Sequence, residues 1–287
     1  MSTIDLNTVR AIGRRDLAGY LANPTGYVFL TLFIATTGAA AFLQDEFFTR
    51  NLADLALLNQ MMPAILMLFV PAVTMGTWAE ERRAGTDELL LTMPVRDIEV
   101  VLGKYLGAVG VFTVGLAFSL AHLVVLAFLG SPDLGLMIAT YLGYWVMGGL
   151  FVAVGLLGSM FTTNATVAFI LGALGCSGLV FADKVPWASG VVGAILIGAL
   201  LSLSWLVTRG GSEHVGRVAV IGTVGAVVLW ISDVWRGFED TFSAIGVSGH
   251  FQGFGEGVVR LGDLVYFCGA IGLVLYACSF LMGRRHW

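Results

Sequence analysis

An all-α, polytopic integral membrane bundle of six to eight spans is the fold class this sequence predicts, and three observations predict it. Of 287 residues, 57% are hydrophobic and only 12% are charged. Mean hydropathy is +0.89, far above that of soluble domains. The apolar residues gather into long runs, and the densest charge cluster, WAEERRAGTDELLLTMPV at 78–95, sits directly between two of them. No polar stretch is long enough for a second, soluble core, so 1–287 reads as a single transmembrane domain.

The first element precedes the lipid. Over 5–22, Leu6, Val9, Gly13, Leu17, Tyr20 and Leu21 recur at three- and four-residue steps, while Arg10, Arg14 and Arg15 fall on another face. That is an amphipathic interfacial helix. Asn23-Pro24 ends it, and Pro24 suits the first turn of the span that follows. The first apolar run begins near Thr25, lacks a small-residue cleavage site and is long enough to cross, so it is expected to remain in the mature protein.

A spanning helix needs roughly 20 predominantly apolar residues. Eight segments qualify, at about 25–43, 60–78, 101–129, 136–160, 165–182, 188–207, 217–235 and 262–283. Pro63 and Pro71 should kink the second. The pair at 188–207 and 217–235 is also compatible with a re-entrant feature, which would leave six crossings. With both termini in the cytoplasm, eleven basic residues lie inside and only Arg50, Lys184, Arg236 and Arg260 outside. The 79–97 hairpin is therefore expected on the cytoplasmic side.

In that hairpin Glu80, Glu81, Arg82 and Arg83 carry the second span beyond the lipid, and Gly85 is a helix stop. Thr86 can cap a short helix whose first turn holds Asp87 and Glu88, where acids are favoured. Leu89, Leu90, Leu91 and Met93 give that helix an apolar side and Pro94 ends it; Asp97 and Glu99 open the next long helix. Adjacent large apolar residues favour a protein contact over a solvated loop, the alternative being a dip into the interface.

On the outer side, 236–260 is too polar to cross and too apolar to be free in water. One or two short helices half sunk in the leaflet fit it, either lining an exit or simply packing there. Gly249, Gly253 and Gly257 recur every four residues, spacing that permits close helix contact. Within the spans His122 is the most central ionisable residue. A relay is conceivable, but a hydrogen bond to a neighbouring helix is the commoner use. Cys176, Cys268 and Cys278 lie in apolar runs and read as small buried hydrophobes, not as a disulfide frame or metal site.

Several function classes are excluded by what is missing. There is no phosphate loop, no H-E-x-x-H and no paired intramembrane carboxylates, so neither nucleotide hydrolysis nor embedded hydrolytic chemistry is expected. Mid-membrane acids and internal repeats, which a secondary transporter should carry, are absent as well. A formal charge of −4 without a basic tract argues against nucleic acid.

The hairpin resembles the first cytoplasmic loop of ABC-2-type transporter permeases, through Trp78, Glu80, Glu81, Arg82, Gly85, Thr86, Glu88, Leu89, Leu90, Pro94 and Val95. Val101-Leu102-Gly103-Lys104 is similar to the "LGK" opening of that family's third span. Within it, Tyr20, Pro24, Gly26 and Tyr27, with the late His250, Phe251, Phe254, Gly257 and Val258, look most like the gliding-motility-associated type. The resemblance covers nearly the whole chain except about 186–235.

It implies an ABC-2 (type V exporter-like) permease in the bacterial inner membrane, not itself an enzyme and holding no cofactor, with ATP and Mg2+ on a partner ATPase. Glu80, Glu81, Arg82, Arg83, Gly85, Thr86, Glu88 and Leu89 would form the ATPase-coupling set. His250, Phe251, Phe254 and Gly257 would form an extracytoplasmic gate. The implied partners are an ABC ATPase subunit, a second permease copy or paralogue, and for gliding-type relatives an auxiliary protein with a large extracytoplasmic domain. Mechanical signalling without a transport path, and less favourably secondary transport, are the alternatives. The transported substrate is not legible.

Overall fold

The computed structural model describes residues 4–44, 54–86, 95–184, 222, 224–225 and 244–283. The expected spans at 188–207 and 217–235 lie outside these residues, apart from positions 222, 224 and 225. Helix α1 (Leu6–Ala22) starts at Asp5, whose carboxylate accepts from Asn7 N–H at 2.9 Å and from the Thr8 hydroxyl at 2.9 Å. It gives way at Asn23 to α2 (Pro24–Phe42), with the Asn23 side chain accepting from Thr25 N–H and Pro24 in the first turn. A β-carbon on Gly26 would stand 2.4 Å from the Tyr20 carbonyl oxygen, so this corner tolerates nothing larger.

The second crossing is two helices, α3 (Ala56–Thr74) and α4 (Gly76–Ala84). Pro63 and Pro71 lie inside α3, and the helix is interrupted at Met75, one turn beyond Pro71. The third, expected to be continuous, is also divided: α5 (Asp97–Ser119) meets α6 (Ala121–Leu129) at Leu120, whose N–H reaches back to Ala117. The Ser119 hydroxyl donates to the Leu116 carbonyl at 2.7 Å, one residue before this interruption.

Helix α7 (Leu134–Ser159), capped by Asp133, is the central column, with 78% of its apolar window buried against 17–39% for the other candidate spans. Helices α8 (Ala165–Phe181), α9 (Val247–Gly255) and α10 (Leu261–Gly283) complete the described elements. Among the described residues, five stretches are long and apolar enough to cross a membrane: Pro24–Phe42, Ala56–Ala84, Asp97–Leu129, Leu134–Ser159 and Leu261–Gly283. Helix α8, expected as a span, has 17 residues, at the short edge of the roughly 17–25 that suffice.

The chain divides into two compact units, Met1–Cys176 with Phe251–Trp287, and Ser177–His250. In the first, small residues set the spacing. A β-carbon on Gly155 would meet Thr74 Oγ1 at 2.1 Å, and one on Gly158 would meet the backbone nitrogen of Gly172 at 2.9 Å. Backbones approach this closely only where side chains are absent, and apolar side chains alone give no net driving force in lipid, so such contacts hold the bundle. In the second unit, Asp183 accepts from Gly249 N–H at 2.7 Å and the Ser248 hydroxyl donates to the Val180 carbonyl at 3.2 Å.

Three sequence expectations change. His122 is buried, yet its Nδ1 has no hydrogen-bond partner among the described residues; the ring packs against Gly38 and, edge-on at 5.8 Å, against Phe42. Cys176 and Cys278 are buried, but Cys268 is exposed. Gly249, Gly253 and Gly257 do not form a packing stripe. Gly257 has φ +81 and ends α9, with its N–H donating to the Phe254 carbonyl and Val258 N–H to that of Gly253.

Candidate functional site

The rising stem of the hairpin is α4, which brings Glu80, Glu81, Arg82 and Arg83 out of the span in helical register. Arg82 and Arg83 occupy its last turn, where the exposed carbonyls favour cations. Gly85 stops it in the left-handed conformation, φ 68, as its position suggests; Gly85 N–H donates to Arg82 and Thr86 N–H to Glu81. The Thr86 hydroxyl also donates to the Glu81 carbonyl, at 3.2 Å. Glu88 and Leu89, with the rest of 87–94 and hence the expected coupling helix, lie outside the described residues.

The falling stem opens at Asp97. Glu99 turns back to accept from Arg96 N–H at 3.2 Å, closing the first turn of α5. Its other oxygen accepts from Asp5 N–H at 2.8 Å, so one buried carboxylate ties the start of α1 to the start of α5. From there the two helices run in close contact. A β-carbon on Gly103 would stand 2.7 Å from Ile12 Cβ, and one on Gly107 would stand 3.0 Å from Asp16 Cβ. The interfacial helix is thus docked on the third span through its Val9–Gly13 face, while Leu6 remains exposed.

This docking places Asp16 beside Lys104, the centre of the site. The Lys104 ammonium, on a residue only 1% exposed, is 2.7 Å from Glu81 Oε1, 3.6 Å from Asp16 Oδ2 and donates to the Thr77 carbonyl at 3.0 Å. It also lies 4.7 Å from the centre of the Trp78 ring, whose π-face attracts a cation. Arg15 closes the cluster from outside, 2.8 Å from Asp16 and 3.2 Å from Glu81. Burial works against the Arg15 charge, but the hydrogen bond and charge of Asp16, with Glu81 behind them, hold its guanidinium above its ordinary value. Two carboxylates and two cations therefore join α1, α4 and α5 at one point.

Burying an ammonium is costly unless its donors are used, and here a carboxylate, a second carboxylate and a carbonyl use them. Such a cluster adds little net stability, but removing one member strands the others, at about 3–5 kcal/mol. It is a connector whose geometry is enforced.

Beside the cluster lies a cleft of about 430 Å3 between α1, the start of α2 and the end of the second span, with Tyr20, Phe29, Val73 and Glu80 in its lining. Burial pushes the Tyr20 phenol up to about 12.

The family model for "ABC-2 family transporter protein" matches residues 11–209. The chain belongs to the ABC-2 transporter family. No curated protein matches it. In this ABC-2 permease the match takes in α1 from Ala11 onward, both stems of the hairpin and the Lys104 cluster, so the described coupling-set residues Glu80, Glu81, Arg82, Arg83, Gly85 and Thr86 all fall within it.

The four gate residues fall differently. Phe251 is stacked on Tyr144 at 5.5 Å and Phe254 meets Phe267 edge-on at 6.2 Å, both buried. His250 faces the Ala244 carbonyl at 3.0 Å, and Gly257 is the stop of α9. Tyr144 donates a hydrogen bond to Asn59, whose amide reaches the Gly255 carbonyl at 3.5 Å, while the Thr140 hydroxyl donates to the Phe254 carbonyl at 3.3 Å. The end of α9 is thereby pinned to the second and fourth spans.

Sequence reasoning missed Lys104, Asp16 and Thr77 as members of the site. Lys104 served only as a topology marker and part of the "LGK" likeness. The available signal was a lysine enclosed by Leu102, Gly103, Tyr105 and Leu106, too deep in an apolar helix to be a solvated charge.

Proposed function

We propose that this permease subunit works in an exporter of the bacterial inner membrane, with both termini cytoplasmic, driven by a separate ABC ATPase that presses on the 79–97 hairpin. The observation that carries the proposal is the buried Lys104–Glu81–Asp16 cluster. It joins the stem of the hairpin to the interfacial helix and to the third span, so a displacement of the hairpin is handed to both. Rigid connection is what converts nucleotide-driven closure of a partner into movement of spans. Arg82, Arg83, Thr86, Glu88 and Leu89 are the residues for the ATPase surface, and Glu81 serves inward as the tie. A second permease copy completes the pathway, and α9 contributes to its outer end. The motifs at Tyr20–Tyr27 and His250–Val258 favour a gliding-type relative with an auxiliary extracytoplasmic partner.

The test uses the permease co-expressed with its ATPase. Thr86→Cys should be labelled from the cytoplasmic side and should cross-link to the ATPase. Arg83→Glu, on an exposed side chain, should abolish stimulation of ATP hydrolysis by the membrane subunit while leaving thermal stability unchanged. Labelling of position 86 only from the periplasm, or full stimulation with Arg83→Glu, overturns the proposal.

A further inference from the structure

We infer that the cleft beside the Lys104 cluster is a binding site for a phospholipid with a primary ammonium headgroup, drawn from the cytoplasmic leaflet. Three observations carry this, none of them used by the coupling argument.

The cleft has a polar end and an apolar end. Arg15, Asp16, Asn23, Thr25, Glu80 and Glu81 line one part; Phe29, Ala72 and Val73 line the other. Its volume of about 430 Å3 lies within the range of small-ligand sites. An adjoining recess of about 30 Å3 shares Tyr20, Phe29 and Val73 with it and leads toward Phe33, Phe69 and Phe112, with no polar lining. A gradient from charge to pure hydrocarbon at the junction of an interfacial helix with two spans matches an amphiphile, not a soluble metabolite.

The polar end also has unused acceptor capacity beside the Arg15 guanidinium. Lys104 is consumed by Glu81 Oε1, Asp16 and Thr77. Glu81 Oε2 is buried without a partner. Glu80 makes no hydrogen bond or ion pair among the described residues, and its carboxylate folds back over Gly76, where a β-carbon would stand 2.9 Å from Glu80 Cδ. Two carboxylates thus offer acceptors to a donor-bearing cation, while the remaining guanidinium donors of Arg15 can meet the phosphate of a zwitterionic headgroup. A primary ammonium supplies three N–H donors, and a quaternary one supplies none.

At the junction of polar and apolar lining, the Tyr20 hydroxyl is buried and has no partner among the described residues. It is a donor placed where the phosphate or ester oxygens of a lipid would lie when the ammonium meets Glu80 and Glu81 and the chains pass Phe29 and Val73. A buried donor left unmade is costly, and a bound headgroup removes that cost.

The test is native mass spectrometry of the full-length permease released from nanodiscs of equal phosphatidylethanolamine, phosphatidylcholine and phosphatidylglycerol. Phosphatidylethanolamine should be retained preferentially. Glu80→Gln should lower that retention roughly ten-fold, the scale of one charge-assisted hydrogen bond. Tyr20→Phe should lower it without lowering the melting temperature at neutral pH, and Val73→Trp should remove bound lipid of every class. Equal retention of the three lipids, retention driven by phosphatidylglycerol, or phosphatidylethanolamine retained by Val73→Trp would each refute the site. The readout needs no ATPase, so its failure leaves the coupling proposal standing; only the assignment to the cytoplasmic leaflet rests on the proposed orientation.

Discussion

Lys104 and Glu81 meet at 2.7 Å, the lysine sealed from solvent and the glutamate with its side chain 21% exposed. The tie reaches from the third span to the end of the second and lies just inside the hairpin that the exposed Arg83 and Thr86 present outward.

Lys104→Met should destabilise the protein by about 3–5 kcal/mol, because Glu81 and Asp16 lose their buried cation. Adding Glu81→Gln should recover part of that loss. The two single variants would then be clearly non-additive in detergent melts. Additive losses would mean that the two side chains do not act on each other.

Gly148 of α7 has no room for a methyl group, since its β-carbon would stand 2.2 Å from Phe112 Cε1. A phenylalanine ring held between α5 and α7 cannot fold away, so Gly148→Ala should cost about 1–3 kcal/mol through overpacking. Gly19 has nothing within 4 Å of its would-be β-carbon, and Gly19→Ala is the control that should not lower the melting temperature.

Gly257→Ala should destabilise the end of α9. Its φ of +81 is left-handed, a region costing an L-residue roughly 1–2 kcal/mol, and the added methyl would stand 3.1 Å from Leu136 Cδ1. Hydrogen exchange at Gly257 and Val258 should speed up relative to wild type.

Tyr20 links the cleft to alkaline stability. Burial raises its phenol from 10.0 to about 12, so the neutral form is favoured by the fold. The associated stability is complete below pH 10 and is lost as pH rises through about 12. Tyr20→Phe should remove this component, seen as a flatter decline of melting temperature above pH 10 and as the loss of one late-titrating phenolate absorbance.

Asp5 carries the opposite sign. The Thr8 hydroxyl, followed by Asn7 N–H, holds its carboxyl below the ordinary 3.8. Its cap on α1 is intact above that pH and fails as pH falls through the lowered value. Amide exchange at Asn7 and Thr8 should accelerate in acid, and Asp5→Asn should abolish that dependence.

The sequence by itself determined the solvent of this protein, the ends of its helices and its family. Hydropathy is a property of each segment, so runs such as Ala56–Thr74 and Leu134–Ser159 declare themselves without neighbours. Caps and stops are equally local: Asn23 and Pro24, Glu99, and Gly85 act on backbone groups a few residues away. The tertiary structure alone decided which charges meet and which aromatic residues are core. Lys104 looks like a topology marker until Gly103 and Gly107 let α1 lie against the third span and bring Asp16 to it. Phe251 gives no sign in sequence of the ring it meets, and only the fold stacks it on Tyr144. His122 looks ready to bond across helices until its neighbours prove to be Gly38 and a phenylalanine. A pairing between distant residues depends on where helices cross, and that is fixed by the summed fit of small and large side chains, which no single segment encodes.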